Sequence, residues 1–325
     1  MLRGRGEEGG PGMSRVLFVN VDSNKIPPLP LLKLSTWHKA RGDVVGFNIE
    51  NPDKVYISCI FTKNAAQARG ISKLYPDAEI DIGGSGIDLT KQLPAEIENL
   101  KPDYDLYPSE YSQGFTTRGC DRRCPFCIVF QKEGHIHVRQ LPEEFHDDRF
   151  NTCMIMDNNL LQAPRYWVHK VLRWFPENGV KMLSPQGWDA RLLTEEYAGM
   201  LKDIKHPKGI HFAWDNLRDE PAVVNAIKLL KDAGFNLKHD VSFYVLAGFA
   251  MVGGKPIQIP LQPSDIYRCY RLKEMGVNAF VMPYHKKDKG INALAKWANR
   301  RWAYWSGQFT YGDYVIETIA PMEST

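Results

Sequence analysis

The chain lacks any uninterrupted apolar run approaching ~20 residues, the length a helix needs to cross a bilayer, so no membrane span and no membrane partner is expected of it. Its first dozen residues, MLRGRGEEGGPG, have no apolar stretch of the kind a secretory signal carries. Residues 1–12 read as a flexible tail, with Met13 as a second candidate for the start. Charge of one sign is not in excess: 41 Lys and Arg against 38 Asp and Glu leave +3, too little by itself to argue for nucleic acid. Cysteine is sparse. Six in 325 residues are too few for a disulfide scaffold, and a reducing, cytoplasmic setting with free thiols is expected instead. No internal repeat is evident, and no low-complexity segment beyond the tail. What remains is an ordinary globular composition, 43% hydrophobic and 24% charged, in a chain long enough for two modest domains.

From Met13 the pattern alternates. Strands are expected at 15–22, 54–61 and 78–84, with helical spacing in LLKLSTWHKARGD and NAAQARGISKLYP between them. This predicts a Rossmann-like, doubly wound α/β domain over 13–108. The alternation resumes with strands at 152–159, 180–189, 209–215, 240–249 and 278–284. Together with a short strand just before Cys120 they make six strand–helix units, which predicts a partial (β/α) TIM-type barrel over 109–290. Chemistry in such barrels gathers at the C-terminal ends of strands, and Asp157, Asn158, Asn159, Gln186, Asp189 and Asp215 fall there. Residues 291–325 form an aromatic and basic extension. Its run LAKWANRRWAYWSGQFTYGDY suits closure of a barrel end, and stacking on bases keeps nucleic acid open as a partner.

The densest chemistry lies in GFTTRGCDRRCPFCIVFQKEG. Cys120, Cys124 and Cys127 sit within eight residues, spaced C-x3-C-x2-C, beside Arg118, Arg122 and Arg123, which would lower thiolate pKa values. Three readings stand: thiols buried without function; a zinc site completed by His135 or His137 in a non-catalytic binding protein; or an iron–sulfur cluster with one iron left open. Cys59, Cys153 and Cys269 lie in apolar patterns and read as small buried hydrophobes.

CDRRCPFC, with the aromatic Phe126 before its last cysteine, resembles the signature of the radical S-adenosylmethionine (radical SAM) superfamily, over roughly residues 112–284. The resemblance implies a [4Fe-4S] cluster on Cys120, Cys124 and Cys127. It also implies S-adenosyl-L-methionine on the open iron, cleaved to a 5′-deoxyadenosyl radical that takes hydrogen from an unknown substrate, and an electron donor such as flavodoxin or ferredoxin. By the same likeness Asp157, Asn158 and Asn159, Gln186 and Arg191, Asp215 and Gly248 become cosubstrate contacts. Arg191 would pair a carboxylate and Gly248 would let adenine approach. The first domain resembles the cobalamin-binding domain that precedes many such cores, with the GGSG loop beside a large ligand. A cobalamin-dependent methyltransferase is thus the alternative within the superfamily. The histidine loop of that family is missing, and the one histidine of the domain, His38, falls in a helix.

Overall fold

The computed structural model describes residues 13–22 and 27–311. The tail at 1–12, the start of the proline-rich loop at 23–26 and the end of the extension at 312–325 lie outside the described residues. The chain divides into two compact units, one running to Gln113 with Glu143–Phe150 added, the other Gly114–Pro142 with Asn151 onward.

The first unit is a four-stranded parallel sheet, β1 (Arg15–Asn20), β2 (Val44–Gly46), β3 (Lys54–Ser58) and β4 (Glu79–Gly83), in the order β2-β1-β3-β4. Both faces are covered, as the near-continuous apolar strands require. Val16, Phe18 and Tyr56 pack with Leu31 and Leu34 of α1 (Leu29–Lys39) and Ile97 of α3 (Ala95–Glu98), while Leu17, Val55 and Ile57 pack with Ala68 of α2 (Ala65–Ser72). Three residues of β2 were too few to show a period in the sequence. The 143–150 segment belongs here because the buried Tyr104 hydroxyl donates to the Phe145 carbonyl at 2.9 Å and accepts the Gln113 amide at 2.9 Å.

The second unit holds the remaining elements. They are β5 (Ser112–Gly114, of which Gly114 falls here), β6 (Thr117–Arg118), α4 (Val129–Glu133), β7 (His137–Val138), α5 (Pro142–Phe145, of which Pro142 falls here) and β8 (Thr152–Ile155). Then come α6 (Arg165–Glu177), β9 (Lys181–Leu183), α7 (Glu195–Asp203), β10 (Ile210–Ala213), α8 (Glu220–Asp232), α9 (Leu237–Asp240), β11 (Val241–Ala247), β12 (Phe249–Val252), β13 (Lys255–Gln258), α10 (Pro263–Glu274), β14 (Asn278–Pro283), α11 (Lys289–Ala298) and α12 (Arg301–Ser306). β8 pairs with β9, and β10, β11 and β14 pair in that order, all in parallel. The Gly114 carbonyl accepts the Met156 amide, and a single parallel bridge joins Trp188 to Phe212. The architecture is therefore mixed α/β with several small parallel sheets.

Alternate residues decide the faces. Phe212, Phe243, Val245, Ala279 and Val281 are buried, whereas Phe280 and Met282 are 40% and 46% exposed. The sequence pattern predicts a single strand over 240–249. The chain instead turns at Gly248 into an antiparallel hairpin, β12–β13, whose two-residue Gly253-Gly254 connection is a hairpin signal in its own right. The described part of the aromatic extension mostly packs inward. Tyr304 is fully buried with its hydroxyl on the Cys269 carbonyl at 2.7 Å, and Trp297 stacks on Tyr270 at 5.2 Å, leaving Trp302 exposed. Among the described residues no helix is long and apolar enough to cross a membrane.

Candidate functional site

The strands of the second unit stop earlier than their apolar runs. β8 ends at Ile155, β9 at Leu183 and β10 at Ala213, so the polar residues beyond each end stand in loops. Those loops meet. Asp189 is the hub: its carboxylate accepts Arg191 through Nε at 2.7 Å and Nη2 at 3.1 Å, Arg122 at 3.2 Å, and Asn159 Nδ2 at 3.2 Å. Asn159 Nδ2 also lies 3.7 Å from Cys120 Sγ. Residues from the cysteine loop and from the ends of β8 and β9 are thereby tied together. Asp219, just past β10, joins them through Arg191 Nη1 at 3.0 Å.

The candidate residues divide by what they touch. Asp157 is buried and turned into the protein. It accepts the Thr116 amide at 2.6 Å, the Thr117 hydroxyl at 2.8 Å and the Thr116 hydroxyl. Burial pushes its carboxyl up to about 6 against the pull of those bonds. Asn158 accepts the Gly119 amide at 3.1 Å and so fixes the backbone leading into Cys120. Arg191, expected to pair a ligand carboxylate, is bound in a fork to Asp189. Gly248 has φ +79°, and a side chain there would strike Ile291 at 2.3 Å. The close approach it permits is to Ile291 of its own unit. Phe126 meets Phe249 of the hairpin edge to face at 5.2 Å, and Gln186 is exposed.

Asp215 differs from the others. It stands two residues past β10, partly exposed yet deeply surrounded. It accepts the Leu246 amide, and no ion pair to it exists among the described residues. Burial lifts its carboxyl to about 6, only partly offset by Arg268. That arginine is committed elsewhere, to the Trp214 and Leu246 carbonyls at 2.8 Å each and to Asp265 at 2.6 Å. Asp215 is close enough to Cys124 and Cys127 for its charge to raise both thiols.

The arginines around the cysteines are held by other groups. Arg118 binds both oxygens of Glu133 at 3.1 Å, Arg123 lies over the Phe130 ring at 4.2 Å, and Arg122 is on Asp189. Burial outweighs Arg122 and pushes Cys124 up to about 11, and burial raises Cys127 as well. Among the described residues, no group of three or more histidine, cysteine, aspartate or glutamate side chains is placed to hold a metal ion. The expected [4Fe-4S] centre on Cys120, Cys124 and Cys127 is corrected on that finding. The radical SAM assignment, its S-adenosyl-L-methionine and cobalamin cofactors, and the zinc alternative are withdrawn with it. His135 donates instead to Asp121 at 2.6 Å, and His137 bonds the His135 carbonyl at 2.9 Å.

In the first unit the glycine loop closes on its own backbone. A side chain at Gly84 would meet the Cys59 carbonyl oxygen at 2.3 Å, and one at Gly86 would meet the Phe61 carbonyl carbon at 2.7 Å, so the close approach expected for cobalamin is taken by the chain itself. His38 is buried on α1 between Asp43 at 2.6 Å and Tyr56 at 3.1 Å.

Cys59, Cys153 and Cys269 are fully buried, whereas Cys120, Cys124 and Cys127 are partly exposed. Iodoacetamide at pH 9 on the native protein should modify the latter three and spare the former, read by peptide mass. Modification of Cys153 ahead of Cys124 would contradict this placement. Compared with known proteins, the chain matches no family model and no curated protein.

Proposed function

We propose that the second unit binds a small polar molecule at the C-terminal ends of its parallel strands, which arc as part of a (β/α) barrel, and that the first unit is Rossmann-like. Asp215 receives an ammonium or hydroxyl group of that molecule. Asp189, held by Arg122, Arg191 and Asn159, fixes the wall beside it. Cys120, Cys124, Cys127, Phe126 and Gln186 line the approach. The observation that carries this is Asp215 itself, a recessed carboxylate at a strand end without an ion-pair partner among the described residues. Such groups concentrate where ligands bind. Asp157, Asn158 and Gly248 serve the same site by holding its backbone.

The test is thermal unfolding against a panel of amines, polyols, nucleosides and dicarboxylates. Members with ammonium or hydroxyl donors should raise the midpoint by a few degrees, and the rise should vanish in Asp215→Asn. It should also fade below about pH 6, as the carboxyl takes up its proton. Stabilisation by the dicarboxylates alone, or an undiminished response in Asp215→Asn, would contradict the proposal.

A further inference from the structure

On the face of the β10–β11–β14 sheet opposite the buried Phe243 and Val245, the row His211, Ser242 and Asn278 is polar, but toward the C-terminal ends of the strands the side chains are apolar and partly exposed. In register, Ala213 stands beside Tyr244 and Tyr244 beside Phe280, and one step nearer the strand ends Leu246 stands beside Met282. With strands ~4.8 Å apart these rows make a wall about 10 Å wide. Tyr244 is pinned: its hydroxyl donates to the Pro185 carbonyl at 2.9 Å, its ring stacks on His211 at 5.2 Å, and Phe280 meets it edge to face at 5.7 Å. Phe280 and Met282 are 40% and 46% exposed although they lie in the middle of a parallel sheet strand, where both faces are normally covered. Asp215 lies two residues beyond Ala213 and accepts the Leu246 amide, which sets its carboxylate beside the Leu246 end of the wall, with no ion pair among the described residues.

Resting on the small-molecule reading above, we infer that the ligand is amphipathic, with a flat aromatic body against Tyr244, Phe280 and Met282 and a cationic head on Asp215. The charge and the wall select together. A ring alone leaves Asp215 without a counter-charge, and an ammonium alone leaves the wall wet.

Three probes separate the contributions: tyramine has both ring and ammonium, ethanolamine an ammonium and a hydroxyl without the ring, 4-methylphenol the ring without the ammonium. Calorimetric titration of the full chain should give tyramine at least tenfold tighter than either. Phe280→Ala with Met282→Ala removes exposed atoms and should leave the fold intact. It should cost tyramine that tenfold while leaving ethanolamine unchanged. Asp215→Asn should bring tyramine down to 4-methylphenol. If ethanolamine matches tyramine and still depends on Asp215, the aromatic body is wrong and the polar site stands. If none of the three binds, both fall. Concentration-dependent self-association abolished by the Phe280 and Met282 changes would also overturn the inference, because the wall would then be an interface between copies.

Discussion

Replacing Asp157 by alanine is expected to cost the second unit about 3 kcal/mol. The change leaves a buried amide and two buried hydroxyls, those of Thr116 and Thr117, without their acceptor. Each orphaned buried donor costs about 1–3 kcal/mol. Against this stands relief of a carboxylate whose burial raises its pKa to about 6, so the sum falls short of three full penalties. Asp157→Asn keeps an oxygen for the Thr116 amide, and the hydroxyls can turn to accept from its nitrogen. It should cost about 1 kcal/mol. Seven of the eight tryptophans lie in the second unit, so urea unfolding followed by tryptophan emission reports on it. A loss below 1 kcal/mol for alanine, or equal losses for the two variants, would show that the threonines find other partners.

Asp215→Asn should do the opposite and stabilise the ligand-free protein by about 3 kcal/mol at pH 7. The carboxyl titrates near 3.8 when unfolded and at about 6 when folded, and each tenfold change in proton affinity is worth about 1.4 kcal/mol. Because the folded value is the higher one, the folded state holds the proton more tightly between these limits. Stability from this group is therefore full below pH 4 and lost as pH rises to 6. The asparagine variant lacks that slope. Asp157, Asp189 and Asp265 contribute slopes of the same sign, and Asp43, Asp103 and Glu133 slopes of the opposite sign, so the variant should lose the Asp215 share of the slope and keep the rest. A variant that is less stable at pH 7 would mean that Asp215 is already paired in the folded protein. Stability gained where binding is lost is the usual mark of a site kept for a ligand.

Much of the scaffold was legible in the sequence. β1 and β3 are apolar on both faces, and such runs are hard to mistake. The polar residues at the ends of β8, β9 and β10 were found because strand-end position alone marks them. Their partners were not. Arg191 reads as free until the fold brings Asp219, 28 residues away, against it. The arginines around the cysteines stand in the sequence where they could activate thiols, but only the folded chain shows them spent on Glu133, Phe130 and Asp189. Spacing within a loop says what groups are near one another and nothing of their burial, which is what holds Cys124 protonated. Phe280 and Met282 sat inside an apolar strand and gave no sign of exposure. Which face of a strand is covered depends on elements far off in the chain.

The site itself is tested most directly by carbon-13 nuclear magnetic resonance of the Asp215 side-chain carboxyl, followed from about pH 3 to 8 with and without tyramine. Without ligand the carboxyl should titrate at about 6. With tyramine its midpoint should fall by about one pH unit or more, because an ammonium beside the carboxylate favours the charged form. A midpoint near the ordinary aspartate value, unmoved by tyramine or by any donor-bearing member of the panel, would contradict a ligand seat at Asp215.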